Sequence, residues 1–445
     1  MPSQSDNAGQ ASKSRPGRSE TVRAVVAATI GNGIEWFDFI SFGYFTPFIA
    51  KTFFPTQDPT LGLILTWATY GLGIIVRPVA GAILGIYGDR IGRRKILSGI
   101  IMTMALGILI IAVTPGYATI GIAAPILILA ARILQGISAT GEYSSGVAFL
   151  VEYAPPGRKY LFGSFQFVSQ SLAIVLSTFA AFVVTTMLAG TSLADWGWRI
   201  PFLLGVLVGP IGFYIRRRVA ESPEFTALHE RTVVQQVPFG QFVRENKQAI
   251  VTAVALTVPG TLAVYLWFLY CPSYAIRELH LNPGMVNLVT GLCSVGLIGL
   301  CPLAGYLSDR VGPWRWFLPG LIALGVTAWP LFTYLVASPD IGRYLVLMIV
   351  AMLMTCLVQG PLPQLIASLF PTRVRSSGLG LSINLSVALF GGLAPLIITA
   401  LIKDTGDKLM PAYYIVVATT ISLLLLIAVN FGKAAHAAVR REESV

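Results

Sequence analysis

Charge is scarce in this chain. Asp, Glu, Lys and Arg together make up 11% of its 445 residues, while 55% are hydrophobic. A soluble globular domain carries about 25% charged residues. So few charges cannot cover a water-facing surface, and the mean hydropathy of +0.74 agrees: this is an integral membrane protein. Histidine is nearly missing, with three residues, and His280 falls in an outer loop where it reads as solvated. No nucleophile–base pair or metal-ligand spacing appears, which excludes an enzyme and leaves no cofactor to expect. The four cysteines, Cys271, Cys293, Cys301 and Cys356, lie in or beside apolar runs and read as buried reduced thiols. The stretch from Met1 to Glu20 has no apolar core, so it is no cleavable signal peptide, and the first membrane helix must direct insertion. Acids are scarcer than bases, giving a net charge of +11. The bases sit in short loops and tails, which argues for a lipid bilayer and against nucleic acid.

Long apolar runs are what the chain has in abundance. Twelve candidate spans fall near 24–50, 62–86, 96–114, 121–150, 160–188, 197–216, 248–272, 284–307, 316–337, 342–369, 376–402 and 411–432. All are far longer than the ~10-residue strands of a membrane barrel, so they are helices. One set of loops holds Lys13 to Arg23, Arg90 to Lys95, Arg158/Lys159, Arg216 to Arg218, Arg310/Arg315, Arg373/Arg375 and Lys433/Arg440/Arg441. The alternate loops hold few bases, among them Lys51, Arg277 and Arg343, and Lys403/Lys408 are offset by Asp404/Asp407. The positive-inside rule then places both termini in the cytoplasm, as an even number of spans demands.

The expected organisation is a cytoplasmic tail at 1–22, a six-helix bundle at 23–217, a cytoplasmic central loop at 218–247, a second six-helix bundle at 248–432 and a tail at 433–445. An internal repeat supports the two halves. Gly85-x3-Asp89-Arg90-x-Gly92-Arg93-Arg94-Lys95 follows the second span. Gly305-x3-Asp309-Arg310-x-Gly312-Pro313-Trp314-Arg315 follows the eighth. Gln135-Gly136 in the fourth span is echoed by Gln359-Gly360 in the tenth.

The sharpest signal is charge at mid-membrane. Glu35 and Asp38 lie three apart on one helix face, Arg77 is in the second span, and Arg132 and Glu142 are in the fourth. An acid at mid-bilayer costs on the order of 2.5–3.5 kcal/mol by insertion scales, so such groups face a wet or protein-lined interior. An internal salt-bridge set that only fixes packing is one reading. Against it, the repeat keeps none of these charges: Arg77 matches Leu297 and Arg132 matches Cys356. Guanidinium is always charged and offers a planar fork, so Arg77 and Arg132 suit a bound carboxylate. Glu35, Asp38 and Glu142 can change charge, because burial raises a carboxyl pKa while a nearby Arg lowers it. They are the proton candidates. Gln135, Gln166, Gln170, Tyr265, Gln359, Gln364 and Asn384 are neutral polar groups that serve equally well as ligand contacts or as helix–helix hydrogen bonds.

The loop signature resembles that of the major facilitator superfamily. Further runs are similar to the metabolite:proton symporter family within it: Gly31-Asn32-x2-Glu35-Trp36-Phe37-Asp38-Phe39, Arg77-Pro78, Arg132-x2-Gln135-Gly136, Gly141-Glu142-Tyr143, Gly197-Trp198-Arg199-Ile200-Pro201-Phe202, Glu221-Ser222-Pro223 and Phe390-Gly391-Gly392. Ile49 to Pro55 and Thr405-Gly406-Asp407-Lys408 look most like the citrate and tricarballylate branch. The resemblance implies an all-α integral membrane protein, with twelve transmembrane helices in two pseudo-symmetric six-helix bundles. It implies proton-coupled import of a small organic acid, a di- or tricarboxylate such as citrate, by a monomer in a bacterial-type cytoplasmic membrane, powered by the proton gradient. Tyr143 joins the expected substrate contacts. Gly85, Asp89, Arg90, Arg93, Glu152 and Asp309 become a cytoplasmic gate, with Asp89 capping a helix near Ser376 and Glu152 pairing with Arg93. The second copy carries Pro313 and Trp314 where the first has paired bases. Three alternatives stay open. They are a symporter for betaine, proline, shikimate or an aromatic acid, a proton-coupled exporter, and a transporter-like receptor without turnover.

Overall fold

The computed structural model describes residues 32–33, 35–91, 93–140, 142–188, 195–206, 239–371 and 374–429, and for 81–101, 142 and 145 the backbone alone. All regular structure among these residues is helical. With no water in a bilayer core, each backbone N–H and C=O must be satisfied within its own segment, and a helix does this for an apolar run. We number the twelve spans α1 to α12. They are α1 (35–53), α2 (Pro59–Ile91), α3 (Arg93–Val113), α4 (123–152), α5 (Lys159–Met187), α6 (described over 200–206), α7 (Gly240–Arg277), α8 (Pro283–Val311), α9 (Trp314–Ala337), α10 (Ile341–Ser368), α11 (Arg375–Thr405) and α12 (Met410–Ala428).

Local chemistry sets several ends. Asn282 caps α8 by accepting the Met285 N–H, with Pro283 in the first turn. Asp340 caps α10 by accepting from Gly342 and Arg343. Gly406 leaves α11 at φ 72°, a conformation that only glycine adopts without strain. The helix of the seventh span starts earlier than the sequence suggested, inside the expected central loop. Residues 239–247 are already helical, with Phe242 buried and Gln241 bonded one turn on to Glu245 at 2.7 Å. The tails and residues 218–238 lie outside the described residues.

Among the described residues, α1 has a turn at Phe45 and α5 widens to a π-helix over Val183–Met187, and α4, α7, α10 and α11 are interrupted in mid-span. α4 breaks between Ala123–Ser138 and Glu142–Glu152. α10 breaks at Gly360 and Pro361, between Ile341–Gln359 and Leu362–Ser368. α7 widens to a π-helix over Ala263–Tyr270 soon after Pro259, which has no N–H to donate. α11 does the same over Val387–Gly392. Such bulges free backbone groups and redirect side chains, commonly at functional sites.

Small residues let the two halves close on one another. α5 and α8 cross antiparallel, with Gly284 against Thr186, Gly291 against Thr178, and Gly305 against Tyr160 and Ser164. Gly71 of α2 lies against Gly392 and Leu393 of α11. At the end carrying the basic loops, Asp309 of α8 accepts the Tyr160 and Leu161 N–H groups of α5 at 3.0 and 2.9 Å. There too, Arg375 reaches Glu152 at 3.3 Å. At the opposite end, Tyr44 donates to the Phe268 carbonyl at 2.6 Å and Lys403 pairs with Asp58 at 2.7 Å. The halves therefore touch at both ends and enclose a space between them.

Candidate functional site: a charged cavity between the halves

A cavity of about 40 Å³ lies at the centre. The first half lines it with Glu35 and Trp36 of α1, Arg77 of α2, Ala139, Thr140, Tyr143 and Ser144 around the α4 break, and Gln170 of α5. The second half contributes Thr257, Gly260, Thr261, Val264 and Tyr265 of α7, Gln359 and Leu362 of α10, and Gly380, Ile383, Asn384 and Val387 of α11. All of its charge comes from the first half. The wall of the second half is neutral.

Each polar group is held by its surroundings. The Arg77 guanidinium lies over the Phe39 ring at 4.2 Å. Trp36 meets Tyr265 edge to face at 6.0 Å. Gln359 donates Nε2–H to the Gly260 carbonyl at 3.0 Å, which fixes the amide and turns its acceptor Oε1 away. That Oε1 and the Tyr265 hydroxyl are buried with no hydrogen-bond partner among the described residues. Asn384 spans the halves, donating to the Thr140 carbonyl at 2.9 Å and to Gly380 of its own helix at 2.8 Å. The Thr140 carbonyl is a target because the α4 break falls beside it.

Asp38 and Arg132 belong to a second, separate group. Arg132 Nη1 donates to Asp38 Oδ2 at 3.2 Å and to Gln135 Oε1 at 2.6 Å, and both charged side chains are fully buried. Its guanidinium is surrounded by the rings of Phe42 at 3.6 Å, Phe39 at 5.3 Å and Tyr70 at 5.6 Å. Asp38 Oδ1 and Arg132 Nε and Nη2 find no partner among the described residues. Gly73 of α2 and Gly136 of α4 allow this close approach, since a β-carbon on Gly136 would overlap the Gly73 carbonyl. Phe39 touches both guanidinium groups, Arg77 on the cavity side and Arg132 behind.

The cavity thus brings together Glu35, Arg77, Tyr143, Gln170, Tyr265, Gln359 and Asn384, and leaves Asp38, Arg132, Gln135 and Gln166 outside its lining. Gln166 is buried in α5, where its carbonyl accepts from Asn32 at 3.4 Å. Gln364 is buried in the short helix beyond the α10 break. The side chains of Glu142, Asp89, Arg90 and Arg93, and the surroundings of Gly85, lie outside the described residues. Glu152 meets Arg375; the Arg93 side chain expected to pair with Glu152 lies outside the described residues. Asp309 caps α5, so the second loop signature binds across the halves despite Pro313 and Trp314. Lys403 pairs across the halves with Asp58, a contact the loop-charge count did not address.

Sequence reasoning missed Trp36, Ser144, Thr257, Thr261 and Arg375. Thr257, Thr261 and Tyr265 recur every four residues, a hydroxyl stripe that could have been read from helical spacing. The four cysteines are free and buried, with Cys301 and Cys356 sulfurs 3.3 Å apart. No group of His, Cys, Asp or Glu among the described residues could hold a metal ion.

Residues 28–395 match the family model described as Major Facilitator Superfamily. The chain is 36% identical over 403 residues to a citrate-proton symporter of Klebsiella pneumoniae, covering 91% of this chain and 90% of that one. It is 32% identical over 412 residues to a proline/betaine transporter of Escherichia coli strain K12, covering 90% and 82%. Its fold matches that of a solved proton:xylose symporter bound to 6-bromo-6-deoxy-D-glucose with a TM-score of 0.72 at 16% identity, covering 92% and 96%. A structure of the xylose transporter from E. coli, partially occluded and inward open, gives 0.71 at 16%, covering 92% and 98%.

Proposed function

The chain belongs to the Major Facilitator Superfamily, a membrane transporter and not an enzyme, and from that premise we propose that it imports a small organic anion together with protons. The substrate class is a di- or tricarboxylate such as citrate. The membrane is a bacterial-type cytoplasmic membrane with both termini inside, and the proton gradient supplies the energy without a cofactor. One observation carries the reading: a central cavity between the halves holds a fixed cation, Arg77, and an acid, Glu35, against a neutral facing wall. The citrate-proton symporters among the relatives support it.

The steps follow from the residues. A substrate carboxylate takes the Arg77 fork in a bidentate pair, and the Tyr265 hydroxyl donates a further hydrogen bond. The bound anion competes for Arg77 and adds negative charge near Glu35, which favours the protonated acid. Glu35 then takes up a proton as substrate arrives. Because Phe39 contacts both guanidinium groups, a shift of Arg77 bears on the Asp38–Arg132 pair behind it, and Asp38 is the second proton site. Glu142 is a third candidate at the α4 break. A cavity of about 40 Å³ is far below the ~300 Å³ of a typical ligand pocket, so substrate enters only when one end opens.

The ends alternate. Asp309, Glu152 and Arg375, with Gly85, Asp89, Arg90 and Arg93 of the first signature, make the inner gate. Asp58, Lys403 and Tyr44 make the outer one. Proton coupling is an electrical necessity for such cargo, since each charge crossing 100 mV is worth about 2.3 kcal/mol. A tricarboxylate carrying three negative charges needs at least three protons merely to break even.

A zwitterion such as betaine or proline is the second reading, because Glu35 and Arg77 face the same cavity and proline/betaine transporters are among the relatives. Uptake into proteoliposomes of citrate, succinate, betaine and proline, with and without an acid-outside gradient, separates the two. Gradient-driven citrate uptake is expected. Betaine or proline uptake with no uptake of any acid would overturn the anion assignment.

A further inference from the structure

Far from the central cavity, Arg199 lies at the start of α6 at the end opposite the basic loops. Its residue exposure is only 8%. The guanidinium is stacked on Trp198 at 4.4 Å and lies 5.7 Å from Phe53. One N–H donates to the Thr114 carbonyl at the end of α3, at 2.9 Å. No carboxylate among the described residues pairs with it. Asp195, one turn earlier, is taken by Lys51 at 2.9 Å. A guanidinium carries five N–H donors, and among the described residues only the Thr114 carbonyl accepts from this one.

The free part of the fork opens into a groove of about 330 Å³ between α3 and α6, whose walls include Val113, Thr114, Trp196 and Leu203. The groove shares no residue with the central cavity. Its rim faces outward: Val113 is 59% and Trp196 45% exposed. Tryptophan beside apolar side chains at a span end marks the headgroup level of a bilayer. A buried cation without an anion is costly, and here a charge at the base of a lipid-facing groove finds its complement in a phosphodiester.

We propose that this groove binds the phosphate of a phospholipid from the leaflet at that end, in a bidentate pair with Arg199, with the acyl chains along Val113 and Leu203. Arg suits a phosphate because its planar fork matches two oxygens. A free oxyanion shares that chemistry. The apolar, outward-facing walls favour the lipid over a soluble anion.

The test is native mass spectrometry of the purified full-length protein in detergent, titrated with phosphatidylglycerol. Diacylglycerol serves as the tail-only control, and glycerol 3-phosphate and citrate as soluble competitors. The wild type is expected to retain one phosphatidylglycerol about tenfold more tightly than Arg199→Gln, with diacylglycerol retained by neither and no displacement by millimolar soluble anions. Arg199→Lys should keep part of the binding. Leu203→Trp fills the groove and leaves the Thr114 bond intact, so it should lose the same lipid if Arg199→Gln fails to fold. Equal retention by the wild type and Leu203→Trp or Arg199→Gln would overturn the site. Displacement of the lipid by glycerol 3-phosphate or citrate would overturn the lipid assignment.

Discussion

At the scale of single residues, the division between Glu35 and Asp38 is the main result. They sit on one face of α1, yet Glu35 lines the cavity while Asp38 turns to Arg132. The neighbours decide this: Phe39 fills the space between the two guanidinium groups. Arg77 should then govern substrate affinity. Arg77→Gln is expected to abolish citrate uptake, and Arg77→Lys to raise the half-saturating concentration about tenfold, since a point charge cannot replace the fork. Gln359 should govern selectivity, because its fixed Oε1 accepts and cannot donate. In Gln359→Leu, inhibition assays should show citrate losing its advantage over tricarballylate, which lacks the hydroxyl. The Asp38–Arg132 pair predicts a stability cycle. Removing either partner strands a buried charge and costs about 3–5 kcal/mol, read as a lowered melting temperature in detergent. The double variant Asp38→Asn with Arg132→Gln should be more stable than Arg132→Gln alone. The charges themselves were legible because they are expensive in a membrane. Their sorting was not, since it depends on the glycine contact between α2 and α4.

At the scale of elements, the spans were readable from apolar length and loop charge, and their interruptions were not. Nothing in Ala263–Tyr270 distinguishes a π-helix from an α-helix by hydropathy; Pro259 upstream was the one local cue. The contacts at the two ends divide similarly. Asp309 was visible as a loop signature, whereas its partners are backbone N–H groups of α5, which carry no sequence signal. The proposed opposite gate rests on Lys403 and Asp58 at 2.7 Å, and on a tyrosine bonded to a carbonyl. The Lys403 ammonium bonded to Asp58, helped by the Thr60 N–H, holds the Asp58 carboxyl below the usual carboxylate range. The contact is therefore complete at neutral pH and is lost as pH falls through that lowered value. Cysteines at both positions should cross-link on oxidation and block uptake, with reduction restoring it. Asp58→Lys should expose α1 and α7 residues at that end to thiol reagents when cysteines are placed there, and Asp58→Lys with Lys403→Asp should protect them again. Equal labelling of the two variants would contradict the gate.

At the scale of the whole molecule, the duplicated halves have diverged in chemistry while keeping their scaffold. The first half brings all the charge to the cavity, and the second offers hydroxyls, amides and apolar side chains. The sequence showed this asymmetry in the replacement of Arg77 by Leu297 and Arg132 by Cys356. Which helices approach across the halves was not written in it, because the α5–α8 seam depends on glycines and threonines that fit many partners. The account holds that anion arrival at Arg77 drives proton uptake by Glu35. The most direct measurement adds citrate to the purified protein in weakly buffered solution and follows pH with an indicator, alongside citrate binding by calorimetry. The wild type should alkalinise the medium on binding. Glu35→Gln should bind citrate with the alkalinisation reduced, the remainder coming from Asp38 and Glu142 and falling in turn in Asp38→Asn and Glu142→Gln. Undiminished alkalinisation in all three variants would contradict the account.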